Sequence, residues 1–415
     1  MKFIADFHLH SKYSRATSRD MNLENLDKWA RIKGIKVLGT GDFTHPEWFK
    51  NLKEKLEPAE TGLFKLKNSD SPTRFILTAE ISCIYTKGGR VRKIHIIVFA
   101  PSFEIVDKIN AHLGWIGNLK ADGRPILGLD AKELAKIVLN ISENCLIVPA
   151  HLMTPWFSLF GSKSGFDSLQ ECFNEYSKYI FAGETGLSAN PLMLWRMLDG
   201  RRITLISNSD SHSPAHLGRE ANVFDTEISY PAITNAIKLK DPQKFLYTIE
   251  FFPEEGKYHY DGHRVCGISL SPAESKRYNN ICPNCGRSLT IGVLNRVDSL
   301  ADRPEGFKPE NAIPFKSLVP LAEIIANALG VMVGTKQVEE EYKNLIEKFG
   351  NEFNVLIDIS RQDLEAVTLP EIAEGIIRVR EGKVFIEPGY DGVYGKIRIF
   401  SKGEQKTVSR QKTLF

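Results

Sequence analysis

A series of short apolar runs, each close to residues of metal-binding types, occupies the first 210 residues and most constrains the fold of this chain. The runs have the length of β-strands, and helical patterns separate several of them. They predict strands at residues 3–7, 36–40, 75–79, 93–99, 145–149, 179–182 and 203–207, and helices at 22–33 and 130–139. This alternation indicates a parallel α/β architecture, and seven such strands are compatible with a barrel.

Histidine and acidic side chains lie in these strands or just after them. They are Asp6, His8, His10, Asp42, His45, Glu80, His95, His151, Glu184, Asp210 and His212. In an α/β barrel the carboxyl ends of the strands meet at one mouth, where active sites form. Alternation places His8 and His10 on the same side of the chain, and Asp210 and His212 share that spacing. The pattern predicts one cluster of ligands.

A single histidine at a strand end is more often a hydrogen-bonded structural residue, but repetition at successive strands favours a metal site. Imidazole and carboxylate ligands suit zinc, manganese or iron. The candidates are too many for one ion, so we expect two or three divalent ions (zinc, manganese or magnesium), with Glu80 as a candidate bridging carboxylate. Paired ions of this kind promote attack on a phosphoryl group, which predicts phosphoester hydrolysis. The residues expected to be catalytic are His8, His10, Glu80, His151, Asp210 and His212.

Size and composition narrow the class of protein. At 415 residues the chain exceeds one compact core, and ~150 residues per domain gives two or three domains. The formal net charge of +3 permits a nucleic-acid partner without requiring one. No apolar run approaches the ~20 residues that span a bilayer, and residues 1–6 become acidic too soon for a signal peptide. We therefore expect a cytoplasmic protein with no membrane partner.

The cysteines fall into two groups. Cys83, Cys145 and Cys172 are isolated in apolar surroundings and are typical of buried thiols. A second group predicts one structural zinc ion, because two-residue spacers let both ligands of a pair reach the same ion. Its ligands are His263, Cys266, Cys282 and Cys285. His259 is an alternative fourth ligand. The zinc ion is expected to hold residues 258–294 in shape for contact with DNA.

The remaining sequence predicts a helical region that ends in a hairpin. Residues 318–329 and 337–349 have helical periodicity, and 384–387 and 396–400 flank a turn. The lysine and arginine residues near this hairpin are either a solvated surface or a DNA clamp. We expect a catalytic barrel over residues 1–240, a zinc-binding module over 241–300, a helical domain over 301–400 and a flexible tail over 401–415.

The tail ends in a short motif, Gln411, Leu414 and Phe415. This spacing resembles the start of a peptide that binds a sliding clamp such as PCNA, although the second aromatic residue of such peptides is absent. The motif predicts a clamp partner.

The ligand pattern resembles the polymerase-and-histidinol-phosphatase (PHP) domain over roughly residues 1–235. The resemblance implies a distorted seven-stranded barrel with two or three metal ions. It assigns ligand roles to His8, His10, Glu80, His95, His151, Asp210 and His212, and none to Asp6. After the second strand, that family has Thr-Asp-His where this chain has TGDFTH, so whether Asp42, His45 or both bind metal stays open.

Longer segments are similar to the endonuclease Q family over nearly the whole chain. They are GTGDFTHP (39–46), IGNLKADGRP (116–125), PWFSLFGSKSGFD (155–167), GETGLS (183–188) and the cysteine module. The resemblance implies a DNA repair endonuclease of archaea and some bacteria. That family nicks DNA 5′ to deaminated bases (uracil, hypoxanthine, xanthine) and abasic sites, and leaves a 3′-hydroxyl and a 5′-phosphate.

Reading a damaged base normally requires its removal from the base stack into a pocket. The candidate DNA-binding residues are Trp156, Phe157, Phe160, Ser162, Lys163 and Arg124. The alternative is that the aromatic residues belong to the core. Two other functions compete with the nuclease: a PHP-type small-molecule phosphatase, and a lesion-binding protein without catalysis. The phosphatase leaves the cysteine module and the clamp-like tail without a role.

Overall fold

The computed structural model of the protein describes residues 1–198 and 202–401. The strands within this part are β1 (Lys2–Asp6), β2 (Val37–Gly39), β3 (Leu56–Pro58), β4 (Phe64–Leu66), β5 (Arg74–Lys87), β6 (Arg90–Ala100), β7 (Ile126–Leu127), β8 (Leu146–Pro149), β9 (Ala182–Glu184), β10 (Thr204–Ile206), β11 (Ala221–Asp225), β12 (Phe245–Glu250), β13 (Asp261–His263), β14 (Ile268–Leu270), β15 (Phe315–Ser317), β16 (Phe385–Glu387) and β17 (Lys396–Arg398). The candidate clamp-binding residues Gln411, Leu414 and Phe415 lie outside the described residues.

Helices flank these strands and dominate the C-terminal region. They are α1 (Leu23–Lys33), α2 (Pro46–Lys55), α3 (Phe103–Gly114), α4 (Ala131–Ile141), α5 (Leu169–Phe173), α6 (Pro191–Leu194), α7 (Tyr230–Leu239), α8 (Pro272–Arg277), α9 (Val293–Leu300), α10 (Leu321–Leu329), α11 (Lys336–Phe349), α12 (Arg361–Glu365) and α13 (Pro370–Arg380). A π-helix covers Asn354–Asp358. In the described residues, none of the helices combines the length and apolar character that a membrane crossing requires.

The main sheet has mixed strand directions, with β1 in its interior. Among the described residues its order is β15-β12-β11-β1-β2-β5-β4-β3, and β6, β7 and β8 join it through β5 and β6. Strands β9 and β10 form a separate parallel pair. The chain therefore has the expected α/β class, but the seven-stranded barrel is not confirmed, because the strands expected in it divide between the main sheet and the β9–β10 pair.

The expectation of an all-parallel arrangement is wrong at β5 and β6. These strands pair antiparallel along all of β6, from Leu77 opposite Ala100 to Lys87 opposite Arg90. Gly88 and Gly89 form the connection with φ of 60° and 71°, a conformation that glycine adopts without steric cost. A two-residue turn can join only antiparallel neighbours, so the predicted strand at 93–99 returns beside the one before it.

The other sequence-predicted elements lie close to their expected positions, with one exception. The segment 179–182 was expected to be a strand, but Asn174–Tyr179 is a 3₁₀ helix and the strand is Ala182–Glu184. The helix predicted at 318–329 begins at Leu321, after Pro320 at the N-cap. The predicted hairpin is confirmed, with Phe385 opposite Arg398.

A shared hydrophobic core holds the main sheet and the β9–β10 pair together, although their strands belong to separate hydrogen-bonded sheets. Alternate side chains from both sheets, including Phe7, Phe99, Val148, Ile206 and Phe224, belong to one buried cluster. The rings of Phe7 and Phe99 meet edge to face with centroids 5.3 Å apart. Opposite side chains pack outward against α1, α3 and α4 in a second, larger cluster. This packing brings the carboxyl ends of these strands close to one cluster of polar side chains.

Candidate active site

Three unpartnered ligand atoms meet at the ends of β1 and β10. His8, His10 and Asp210 form a group whose ligand atoms all lie within 4.8 Å of one another. The Asp210 Oδ1 atom is 3.6 Å from His8 Nε2 and 3.2 Å from His10 Nε2. All three atoms are buried and have no hydrogen-bond partner. Buried polar atoms without partners are costly, so this arrangement fits a cation at their centre.

A second group lies beside the first and is built from Glu80, His95 and His151. Glu80 Oε1 is 2.8 Å from His95 Nδ1 and 3.0 Å from His151 Nε2. Its other oxygen, Oε2, is 3.2 Å from His10 Nε2 in the first group. Glu80 therefore contacts both groups, the position that a bridging carboxylate requires.

The β5–β6 hairpin sets the geometry of this second group. Ser82 on β5 faces His95 on β6, and Glu80 lies two residues along β5 on the same face as Ser82. His151 and Asp210 follow their strands in left-handed backbone conformations, with φ of 29° and 46°. Such conformations are uncommon for residues other than glycine and concentrate at functional sites.

Asp42 and Glu184 lie on the far side of the histidine rings from the paired groups. The Nδ1 atom of His10 is 3.0 Å from Asp42 Oδ1, and that of His8 is 3.0 Å from Glu184 Oε1. Asp42 also accepts hydrogen bonds from Ser11 and Ser14, and Glu184 accepts one from the backbone N–H of His151. A carboxylate on one ring nitrogen orients a metal-binding histidine and raises its basicity. Neither Asp42 nor Glu184 belongs to the two groups of candidate ligands, so this geometry favours a positioning role over the expected ligand role.

Three other candidates lie outside the paired groups. Asp6 accepts backbone hydrogen bonds from Ser209 and Gly218, and burial, as the largest effect, raises its pKa to about 6. His45 caps α2 by accepting the Trp48 N–H, so its ring faces the helix. His212 lies beside His10, with ring centroids 4.6 Å apart and the ring planes tilted by 49°, next to the first group but without a ligand atom in it.

The histidine and carboxylate side chains of the two groups shift the pKa values of one another. Burial would lower the pKa of His8 and His10, but the surrounding carboxylates outweigh it and raise both values well above the ordinary one. Burial would raise the pKa of Glu80 and Asp210, yet the neighbouring imidazoles lower both. Metal ligands must lose their protons first, so metal affinity is expected to fall as the pH decreases.

The cysteine group forms as the sequence predicts. Ligand atoms of His263, Cys266, Cys282 and Cys285 all lie within 4.8 Å of one another, with Cys285 Sγ 3.4 Å from His263 Nδ1. This donor set fits a tetrahedral zinc ion. His259, the alternative fourth ligand, is absent from the group. The isolated thiols of Cys83, Cys145 and Cys172 are buried, as expected.

A cavity of ≈ 660 Å³ opens next to the second group. Thr154, on its wall, has Oγ1 3.0 Å from His151 Nδ1. The cavity is lined by Thr154, Pro155, Trp156, Leu187, Ser188, Arg219, Phe251, Pro253, Glu255, Gly256, Lys257, Tyr258, His259, Val293, Tyr394 and Gly395. Its walls therefore come from the strand-end loops, the cysteine region and the C-terminal hairpin.

The candidate DNA-binding residues have different surroundings. Trp156, Ser162 and Lys163 are exposed. Phe157 packs on the His95 ring, with centroids 4.8 Å apart. Phe160 is only 2% exposed and belongs to the core, so the interpretation of its ring as a DNA contact is wrong. Arg124 donates to Glu80 Oε2 at 3.0 Å and so is directed into the metal-binding groups.

Sequence reasoning missed several residues of the cavity, among them Arg219, Lys257 and Tyr394. Arg219 donates from Nε to the carbonyl oxygen of Ser209, next to Asp210. It lies nine residues after Asp210 in the sequence, a spacing that does not indicate a shared site. Tyr394 lies in the glycine-rich tip of the hairpin, where an aromatic residue between Val393 and Gly395 was the available signal.

Comparisons with known proteins identify the family to which the chain belongs. A family model described as the MJ0043 C-terminal domain matches residues 320–383. The chain is 37% identical over 256 residues to an uncharacterised protein, MJ0043, of Methanocaldococcus jannaschii, a match that covers 59% of this chain but 31% of that relative.

Two solved structures match from end to end. The lesion-specific endonuclease PfuEndoQ from Pyrococcus furiosus is 31% identical, with a TM-score of 0.87 and complete coverage of both chains. An endonuclease Q in complex with a 27-mer duplex carrying an abasic lesion at its active site is 32% identical, with a TM-score of 0.84 and 97% and 98% coverage. With this identity and a shared fold over its whole length, the chain belongs to the endonuclease Q family.

Proposed function

We propose that the protein is a metal-dependent DNA repair endonuclease that nicks the strand 5′ to deaminated bases and abasic sites and leaves a 3′-hydroxyl and a 5′-phosphate. The convergence of unpartnered His8 Nε2, His10 Nε2 and Asp210 Oδ1 beside Glu80 carries the proposal. Family membership supports a nuclease over other phosphoesterases, because the related endonuclease Q binds duplex DNA with an abasic lesion at its active site.

Each of the two groups would hold one metal ion. His8, His10 and Asp210 would hold one divalent ion, and Glu80, His95 and His151 would hold a second. Such ions supply Lewis acidity, which makes a water molecule nucleophilic at neutral pH and neutralises charge on a phosphoryl group. Arg124, beside Glu80, adds a fixed positive charge at the same place.

The cavity beside His151 would receive the damaged base. Trp156 and Tyr258 offer ring faces, and Lys257 and Arg219 bring cations to the same wall. Deaminated bases pair weakly, so they leave the stack at lower cost than normal bases. The zinc ion of the cysteine group would be structural, because four protein ligands leave no open position.

A nicking assay tests the proposal. Labelled duplexes that differ only in one uracil, hypoxanthine, xanthine, abasic or normal nucleotide are incubated with the protein and Mg²⁺ or Mn²⁺. The expected result is a single nick 5′ to each lesion, with a 3′ end that a polymerase extends. Asp210→Ala should abolish it, whereas Glu143→Gln, at an exposed carboxylate, should not.

The same experiment separates the competing functions. Phosphate release from histidinol phosphate without nicking would instead indicate a small-molecule phosphatase. Tight lesion binding without cleavage, by protein that retains its metal ions, would indicate a binding protein. The sliding-clamp partner stays a prediction from the tail, tested by clamp affinity with and without residues 411–415.

A further inference from the structure

We propose that the tip of the C-terminal hairpin, residues 389–395, forms a wall of the base-receiving cavity, and that Tyr394 holds the extruded base by stacking. The inference rests on the proposed function and assigns a specificity-determining residue far along the chain from the metal ligands. It implies that base-bearing lesions depend on Tyr394, whereas abasic sites do not.

Backbone contacts fix the tip against residues 254–257, a segment that includes lining residues of the cavity. The N–H groups of Gly389 and Gly395 donate to the carbonyl oxygens of Glu254 (2.8 Å) and Glu255 (3.0 Å), and that of Gly392 donates to the carbonyl oxygen of Lys257 (2.8 Å). At Gly395 a Cβ atom would collide with the carbonyl oxygen of Glu254. Glycine at this position therefore permits the close approach of the two backbones.

The tip is also bound to the cysteine module. Asp391 accepts hydrogen bonds from the backbone N–H of Arg264 at 2.7 Å and from Thr290 Oγ1 at 2.6 Å. The Tyr260 N–H donates to the carbonyl oxygen of Gly389 at 2.9 Å. These bonds connect the hairpin to the same module that supplies Tyr258 to the cavity. The tip is thus held in place by hydrogen bonds to residues 254–257 and to the cysteine module.

Tyr394 projects from this fixed backbone with its ring available. Tyr394 is 68% exposed although it lines the cavity. Trp156, a lining residue from the loop after β8, is 50% exposed. Lys257 Nζ is 5.7 Å from the ring centroids of both Tyr258 and Tyr394. Exposed aromatic rings next to a cation are the surface on which nucleic-acid bases stack. Stacking needs a base, so an abasic nucleotide gains nothing from this ring.

The test compares base-bearing and abasic duplexes of the same sequence. Tyr394→Ala should lower kcat/KM about tenfold for uracil and hypoxanthine, the effect of losing one base–aromatic stack, and should leave nicking at abasic sites within about twofold. Tyr394→Phe should restore the uracil rate. Phe385→Ala is the matched control, because this exposed aromatic residue lies on the same hairpin outside the cavity lining.

Binding measurements keep this inference separate from the proposed catalysis. Affinities for the same duplexes are measured by fluorescence anisotropy for the wild type and both Tyr394 variants. A selective loss of uracil-duplex affinity in Tyr394→Ala supports the stacking role even if no nicking occurs, an outcome that would reject the catalytic proposal alone. Equal effects of Tyr394→Ala on both duplexes, or no effect on either, would overturn the inference.

Discussion

At the scale of single residues, a carboxylate lies against the Nδ1 atom of both His8 and His10, the side of each ring away from the candidate metal-binding groups. Glu184 lies 3.0 Å from His8 Nδ1 and also accepts from Asn208 Nδ2, while Asp42 lies 3.0 Å from His10 Nδ1. With Nδ1 so engaged, Nε2 of each ring remains for an ion. We therefore expect the candidate ligand set to depend on residues that do not belong to it.

Replacing Asp42 tests this dependence. Asp42→Asn removes the charged acceptor for His10 Nδ1, so we expect metal affinity and nicking rate to fall by about 10–100-fold while the fold is kept. Metal retained after dialysis against a competing chelator gives the affinity. Glu143→Gln is the control at an exposed carboxylate. Wild-type metal content and rate in Asp42→Asn would contradict the positioning role.

Behind this site, two buried carboxyl groups give a prediction about pH. Burial first, and then repulsion from Glu184, raise the pKa of Glu250 to about 7 from its ordinary 4.5. A carboxyl group with a raised folded-state pKa has its full stabilising effect below the unfolded-state pKa and loses it as the pH rises through the folded-state value. Burial and the Glu250 carboxylate raise the pKa of Glu220 as well.

Glu250→Gln should remove this pH-dependent cost because glutamine imitates the protonated acid. We expect the variant to be more stable than the wild type at pH 8, by an amount on the order of 3 kcal/mol, and similar to it at pH 4.5. Urea titrations at the two pH values measure the difference. A stability difference that does not change between them would show that Glu250 ionises normally in the folded protein.

At the scale of elements, the cysteine module combines a short hairpin with a tight turn. Strands β13 and β14 pair His263 with Ile268, and the Gly286 N–H donates to the carbonyl oxygen of Cys282 at 2.9 Å. Two strands this short are marginal by themselves, so a metal ion that held the two ligand pairs together would add to the stability of the module.

Cys282→Ser should therefore release one zinc equivalent and loosen the module. Zinc stoichiometry by mass spectrometry and protease sensitivity of residues 258–294 measure the two effects. Cys145→Ala, at a buried thiol outside the ligand group, should keep the zinc. Full zinc content with unchanged protease resistance in Cys282→Ser would reject a structural zinc site.

The sequence predicted elements best where one local pattern was sufficient. His8 and His10 at a strand end and the paired cysteine spacers needed no tertiary information. The β5–β6 hairpin was missed although Gly88 and Gly89 between two strand-like runs indicate a two-residue turn. Asp42 and Glu184 could not be separated from ligands, because the ring face that a carboxylate contacts is set by packing of segments distant in sequence.

At the scale of the whole molecule, one buried ion pair joins the N-terminal region to the helical C-terminal region. Lys33 Nζ, at the end of α1, is 2.6 Å from Glu352 Oε2, and the two side chains are only 8% and 5% exposed. Glu352 also accepts from Tyr342 and from the Leu321 N–H. No sequence pattern around Lys33 indicated this partner, since it lies more than 300 residues away.

Lys33→Met should destabilise the protein by about 3–5 kcal/mol, because it leaves the Glu352 carboxylate buried without its cation. Lys2→Met is the matched control: Lys2 reaches Asp358 of the same region at 3.9 Å, but the two side chains are 50% and 56% exposed. The control should change stability by about 1 kcal/mol or less. Urea unfolding of both variants compares them, and equal effects would mean that the buried pair contributes nothing special.

The interior position of β1 has a consequence for how the protein is made. The strand pairs with β2 on one side and with Ala221–Asp225 on the other, and Phe7 bonds to Asn208, 201 residues later. During synthesis, the edge of β1 that pairs with Ala221–Asp225 therefore stays unpaired until that segment has been made. An unpaired edge is a site of aggregation, so we expect the nascent chain to be most prone to aggregation during that interval.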